Sequence, residues 1–527
     1  MTTIQRMFPP ACWGIALIGF VVILLTPGWV TAGFPGQDKI LDASLLDDMA
    51  KQVGDHRVIV TLRDRAPVKN LRLESDPARA MDVEARVSTS IEKTLSGTGI
   101  QGSRISSRLK TQPIFSASVS SGDIRFLAAQ SDVAFIEVNH EMVLHTAQGI
   151  PQIQPGEYRT KPGGAGVAIA VVDTGVNYVH PALGGGGFPN AKVIGGYDFG
   201  DRDTDPMDTI GHGTACAAIA AGSPTGKGDF AGGVAPDAKI YALKISDSNG
   251  GMSQMGFLEA WDWCIRHQMD NPDYPIRIIS TSLGAPLYSS GGYCQSPSAQ
   301  AVAGQAVANG IAIFVSSGNE GLCQKIAFPS CLQETIAVGA VYDAALGKPA
   351  GFCVLPESCV GGPSSNDRCQ AFCVDETQTQ DQVCCYSNSA PILELLAPAH
   401  CTYTAGVPGD SYNTCFGGTS ASCPYAAGAA ALIQSYVRAK TSQFLEPAEL
   451  RKLMAQNGDP ITDPKSGITK PRINIRRSIE AIGKRPNPGP APAPAPIPVP
   501  TPGPSPPGVS AGHTPVDELR QMLRKSN

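Results

Sequence analysis

The sequence predicts an α/β fold, a doubly wound, mostly parallel sheet with helices on both faces, preceded by a small α+β domain. Three observations carry this expectation. Between residues 167 and 341, five apolar runs (167–172, 239–245, 276–281, 311–316 and 335–341) alternate with helical patterns at 251–269 and 297–309. Such alternation argues a parallel sheet with its site at the carboxyl ends of the strands. Residues 417–436, GGTSASCPYAAGAAALIQSY, are small or apolar on every side and almost free of charge, as a helix buried at the centre of a fold must be. Finally, 527 residues suffice for roughly two to four domains and a core of enzyme size.

Taken in order, the chain opens with Arg6, an apolar run over 11–25 and the small-residue site Val30-Thr31-Ala32. This pattern reads as a secretory signal peptide over 1–32, cut before Gly33, because the run is short for a membrane span. An uncleaved anchor is the alternative. Cys12 lies at the start of the run, whereas a lipoprotein cysteine would follow it. No later stretch is long and apolar enough to cross a bilayer, so the mature protein is expected to be secreted, extracellular or periplasmic, with no membrane contact. Residues 33–147 form the small domain: strands at 57–62, 114–120 and 133–138 with helices at 77–95 and 122–131 suit a split βαβ unit. The main domain covers 148–483. A net charge of −5 with 17% charged residues leaves no basic stripe, which excludes nucleic acid as a partner. No GxGxxG follows a strand, and Gly184 to Gly187 lie in a loop, so a dinucleotide site is not expected.

The chemistry starts at the ends of these elements. The strand at 167–172 runs into Asp173-Thr174-Gly175, delivering a carboxylate at its end. Residues 211–222, GHGTACAAIAAG, place His212 between glycines at the start of a second helix of small residues. Ser420 follows Gly417-Gly418-Thr419 at the positive end of its helix, on a bend where another backbone can approach. Pro424 is compatible with that helix start, where the first amides have no partner. A serine hydroxyl becomes nucleophilic through a positioned base, and the base is oriented by an acid. Taken singly, an Asp at a strand end is often a cap and Gly-His-Gly often a tight turn. In the order Asp173, His212, Ser420, each at the junction its chemistry requires, capping is a poor explanation.

The segments DTG, GHGT and GTSxxxP resemble the catalytic motifs of the subtilisin-like serine peptidases, or subtilases, and the likeness extends over roughly residues 110–480. It implies a serine endopeptidase acting on polypeptides, with Asp173, His212 and Ser420 as triad and no cofactor required for the chemistry. In IAIFVSSGNEG (311–321) it makes Asn319 the oxyanion-hole donor beside the Ser420 amide. Ser282, Leu283 and Gly284 would pair with an extended substrate as an added strand. Ser316, Ser317 and Gly318 would wall the primary specificity pocket, with Glu320 either at its rim or simply solvated. The domain over 33–147 is similar to the ferredoxin-like inhibitory prodomain of subtilases, an intramolecular inhibitor released by self-cleavage within 145–148. A monomer is expected. The alternatives are a catalytically silent subtilase fold used for binding, and a narrow processing protease with one dedicated target.

Residues 198–208, DFGDRDTDPMD, crowd aspartates just before His212. Asp198, Asp201, Asp203 and Asp205 have the spacing of the calcium loop of thermitase-like subtilases, and hard cations want several oxygens from one loop; the alternative is an exposed acidic turn. The family's tightest calcium site is missing, since Ala182 stands where an Asp is expected. Of 15 cysteines, an even number remains after removal of Cys12, as an exported disulfide framework prefers. Six fall within 350–386 (Cys353, Cys359, Cys369, Cys373, Cys384 and Cys385), read as a surface insert stapled by bridges rather than a zinc site. Cys323 with Cys331 and Cys401 with Cys415 are plausible local bridges. Cys216 matches a free thiol in part of the family and predicts sensitivity to mercurials. Residues 484–508 form a proline-rich, stiff linker, and 509–527 a tail with at most a marginal helix.

Overall fold

The computed structural model describes residues 34–483 apart from 42, 52–53, 64–76, 99, 101, 140–142, 145–148, 229, 289–291, 345–349 and 364–368. The signal segment, the cleavage segment, the linker and the tail lie outside the described residues. The N-terminal unit comprises α1 (Ala43–Lys51), β1 (Asp55–Leu62), α2 (Pro77–Ser96), β2 (Ile105–Arg108), β3 (Ile114–Ser120), α3 (Ser121–Ala129), β4 (Val133–Val138) and the short β5 (Val143–Leu144). Its sheet has the order β2-β3-β1-β4 with antiparallel neighbours, the split βαβ arrangement expected. The sequence reading lacks α1 and β2. The latter, ISSR, has one apolar residue and so no alternation to detect.

The main unit continues with β6 (Ala168–Asp173), β7 (Val193–Asp198), α4 (His212–Ala221), β8 (Lys239–Lys244), α5 (Gln254–Arg266), β9 (Ile276–Thr281), β10 (Leu283–Tyr288) and α6 (Pro297–Ala308). Next come β11 (Ala312–Ser316), β12 (Ala327–Phe328), β13 (Ile336–Val341), β14 (Ala350–Val354), β15 (Gly362–Pro363), β16 (Ala371–Asp375), β17 (Leu395–Pro398), β18 (Thr402–Ala405) and β19 (Tyr412–Phe416). The last elements are α7 (Thr419–Thr441), α8 (Pro447–Asn457), β20 (Asp459–Thr462), β21 (Thr469–Arg472) and α9 (Ile475–Gly483). The large sheet has the order β20-β21-β17-β13-β11-β9-β6-β8-β7, parallel throughout except for β20 against β21. Successive residues of β6 show why it is apolar up to Asp173. Ala168, Ala170 and Val172 enter the core shared with α5 and α6, whereas Ile169 and Val171 enter the core shared with α4 and α7.

The small domain sits on the α5 and α6 side. Val58 and Ile136 belong to the same apolar cluster as Phe257 and Trp261, and polar contacts seal the junction. Glu137 accepts from Ser296 Oγ at 2.7 Å and from the Ser298 amide at 3.0 Å, and Asn139 Oδ1 accepts from the Met255 amide at 2.8 Å. Both groups thus satisfy otherwise orphaned amides at the starts of α6 and α5. β5 crosses to the main unit and pairs antiparallel with β10, Leu144 opposite Leu283 and Val143 opposite Gly284.

The segment 350–386 departs from the surface loop expected. It forms a three-stranded sheet in the order β14-β16-β15, and its final part is core: Ala371, Cys373, Cys384, Cys385 and Tyr386 are buried among residues that pack on α7. Bridges join Cys353–Cys369 and Cys373–Cys385 within it, and Cys323–Cys359 ties it to the loop after β11. Cys401–Cys415 forms as expected, but Cys331 pairs with Cys294 rather than Cys323. Spacing along the chain misled here because the insert brings Cys359 nearer to Cys323 than its sequence neighbour. Cys216, Cys264, Cys384 and Cys423 are buried free thiols.

Candidate active site

The carboxyl ends of β6, β9 and β11 and the starts of α4 and α7 converge. Asp173 ends β6 fully buried, and its Oδ1 accepts from the Thr174 amide at 2.8 Å and meets His212 Nδ1 at 2.7 Å. The glycine after the histidine is required by packing: a Cβ on Gly213 would lie 2.2 Å from the Gly175 carbonyl oxygen and 3.0 Å from Asp173 Cβ. Asp208, counted by sequence only among the clustered acids, is buried and fixes this helix start. Its Oδ2 accepts from the Thr214 amide and hydroxyl at 2.9 and 2.6 Å, and its Oδ1 from the Ile210 and Gly211 amides, both at 2.9 Å. Burial nevertheless raises its pKa above the usual carboxylate range.

Ser420 is the second residue of α7, preceded by Gly418 at φ 117°. Its hydroxyl donates to the Ser282 carbonyl at 2.7 Å, and the Ser282 hydroxyl donates to the Ser420 carbonyl at 2.6 Å. That second bond exists because of Pro424. The proline is the sixth residue of the helix, beyond the unpartnered first amides with which its tolerance was expected to be explained. Lacking an N–H, it leaves the carbonyl four residues earlier, that of Ser420, without a helical partner. Ser282 Oγ and, at 3.6 Å, Cys216 Sγ take its place.

Asn319 lies in the loop after β11, and its Oδ1 accepts from the Thr419 amide at 2.8 Å while Thr419 Oγ1 accepts from the Gly318 amide at 3.1 Å. The side-chain amide of Asn319 retains its two N–H donors for other acceptors. Ser316 and Ser317 are buried beside this loop, and Gly318 takes φ 103°. Glu320 is not a solvated acid. Asn388 donates to its carboxylate, and burial raises its pKa. Leu283 and Gly284 lie on β10, which is bordered by β12 and β5. Cys216 joins the group, with ligand atoms of Asp173, His212 and Cys216 all within 4.8 Å of one another; burial and the Asp173 charge hold its thiol well above the usual range.

The four aspartates of the acidic loop do not gather around one point. Lys244 Nζ bonds Asp198 and, at 2.9 Å, Asp201. Asp203 Oδ1 accepts from the Asp205 amide at 2.8 Å, and Asp205 Oδ1 from Tyr178 OH at 2.7 Å. The Lys244 ammonium is thus bonded to two of the four carboxylates while the other two accept from neutral donors, so the residues as arranged do not fit a calcium ion.

Fold and geometry define a class, a serine hydrolase whose candidate groups all stand at the carboxyl edge of a doubly wound sheet. The chain belongs to the subtilase family of serine endopeptidases, whose profile (Peptidase_S8) matches residues 164–470. It is 38% identical over 181 residues to Serine protease AprX of Bacillus subtilis (strain 168), a match spanning 34% of this chain and 39% of that protein. Against Subtilisin E of the same organism it is 28% identical over 343 residues, 64% of this chain and 74% of the relative. Against Subtilisin of Bacillus pumilus it is 30% identical over 292 residues, 54% and 84% of the two chains. No helix among the described residues is long and apolar enough to cross a membrane.

Proposed function

We propose that this protein is a secreted subtilase made as a self-cleaving proenzyme, hydrolysing peptide bonds through Asp173, His212 and Ser420. Ser420 Oγ attacks the scissile carbonyl carbon while His212 takes its proton. The resulting imidazolium is stabilised through Nδ1 by Asp173, whose 2.7 Å contact also fixes the ring's orientation. The tetrahedral oxyanion is held by the Asn319 amide and the Ser420 N–H. His212 then returns the proton to the leaving amine, and a water hydrolyses the acyl-enzyme by the same steps. A hydroxyl has one hydrogen, so Ser420 must turn from the Ser282 carbonyl before transfer can begin. Side chains supply every acid, base and nucleophile, and no cofactor enters the chemistry.

The observation that carries the proenzyme reading is the pairing of β5 with β10. A segment continuous with the small domain occupies the strand edge expected to receive substrate, in the antiparallel, main-chain mode of strand addition. The segment 145–148, in which self-cleavage is expected, follows β5 directly in the sequence. The Glu137 and Asn139 caps supply a reason for the domain to remain docked after cleavage, acting as inhibitor of the same chain.

The test compares the N-terminus and mass of the exported protein with those of Ser420→Ala from the same host. Wild type is expected to lose the segment ending within 145–148 while Ser420→Ala retains it. Identical trimming of both would overturn self-processing, and an intact wild type without activity on unfolded protein would overturn the assignment of Ser420.

A further inference from the structure

Asn388 lies between β16 and β17, far in sequence from every motif of the site, and it is fully buried. Its backbone amide donates to the Gly318 carbonyl at 3.0 Å, and its carbonyl accepts from Ser317 Oγ at 3.2 Å. Its side chain does more. Oδ1 accepts from the amides of Glu320 at 3.1 Å and Leu322 at 3.0 Å, whereas Nδ2 donates to the Ser317 carbonyl at 3.1 Å and to the Glu320 carboxylate. Both amide hydrogens and both lone-pair directions are thereby used. These contacts run along residues 317–322 and omit Asn319, whose own Oδ1 is tied to the start of α7. The approach is close: a Cβ on Gly318 would lie 2.4 Å from Asn388 Nδ2.

We infer that Asn388 is a positioning residue for oxyanion stabilisation, fixing the backbone on both sides of Asn319 so that its amide points at the developing charge. The inference rests on the role proposed for Asn319. Asn388 does not touch the substrate. It acts by removing freedom from a loop that otherwise carries two glycines at positive φ, Gly318 and Gly321, and no regular structure. A preorganised donor needs no reorganisation at the moment of reaction, whereas a donor free to swing loses much of its differential effect.

The experiment is a double-mutant cycle on the processed enzyme with a peptide ester and a peptide amide. Asn319→Ala alone is expected to lower kcat by about a hundredfold or more. Asn388→Ser should lower kcat by roughly tenfold to thirtyfold with KM changed less than about twofold, and should cost less than about twofold when Asn319 is already Ala. If Asn388→Ser is equally costly in both backgrounds, or acts mainly on KM, Asn388 is only structural and the inference is overturned. Should Asn319→Ala leave kcat unchanged, the oxyanion role itself fails and the inference falls with it. Asn388→Asp is the isosteric companion in case the serine variant folds poorly. It keeps the two acceptor bonds to Glu320 and Leu322 but sets a carboxylate against the Ser317 carbonyl and Glu320, and the same dependence on Asn319 is expected of it.

Discussion

The pair α4 and α7 and the segment 350–386 lie on the same side of the sheet and are held together by different means. In α4 every residue from His212 to Ala221 is buried, and α7 is buried from Thr419 through Ser435. These helices meet through alanine and glycine, contain no bridge, and keep Cys216 and Cys423 as thiols. The cysteine-rich segment instead has β14 half-exposed, with Val374 of β16 44% exposed, and three bridges anchor it. Where two helices bury their full surfaces, close packing specifies the geometry. Where a strand buries only one face in a small sheet, cross-links supply what area does not.

The comparison is most sharply broken at Gly428. A Cβ there would lie 2.7 Å from the Ala220 carbonyl oxygen and 2.7 Å from Val234 Cβ, so Gly428→Val is expected to cost about 3 kcal/mol and to lower the single melting transition of the whole main domain, read by calorimetry in the Ser420→Ala background. A smaller and local effect is expected from Cys353→Ser with Cys369→Ser, which opens a bridge of sequence separation 16. About 2 kcal/mol should be lost within the segment, visible as faster amide exchange in β14 and β16 while α7 keeps its protection. Equal acceleration in α7 would mean that the two regions are one cooperative unit.

The smallest effect lies between the two regions, at Asp343 just after β13. Burial pushes its carboxyl up to about 7, and no ion pair to it is present among the described residues. The folded protein thus holds this proton up to about pH 7, whereas an unfolded Asp releases it near pH ~4. Its contribution to stability is therefore complete below pH ~4, declines as the pH rises to about 7, and stays lower above. Asn at this position should raise stability by ~1 kcal/mol at pH 8 and leave it unchanged at pH 4, as measured by denaturant titration at the two pH values.

What sequence alone made legible was local. The continuous apolar runs of β6, β8, β9, β11 and β13 follow from burial on both faces, and their ends fall within one or two residues of expectation. Gly213, after His212, marks a close backbone approach that the structure contains, and Gly418, ahead of Ser420, takes a positive φ of 117°. The unread features depend on tertiary neighbours. Asn388 sits in YSNSAP, where nothing in the surrounding pattern reports six bonds to a loop some seventy residues away. Likewise the partner of Cys323 depends on how the insert folds, and the fate of the acidic loop depends on Lys244, one of the two lysines that end an apolar strand interior. Polar residues whose work is done at a distance in the chain leave no periodic trace.

Lys244 also changes how the acidic loop answers to its surroundings. A metal ion that neutralises carboxylates does so by mass action, and its share of the stability follows the free ion concentration and vanishes on chelation or dilution. The ammonium of Lys244 is delivered by β8 and bonded to Asp198 and Asp201, so its effective concentration is set by the chain and not by the medium. The turn that leads into the helix of His212 thus carries part of its counter-charge with it, whatever the medium.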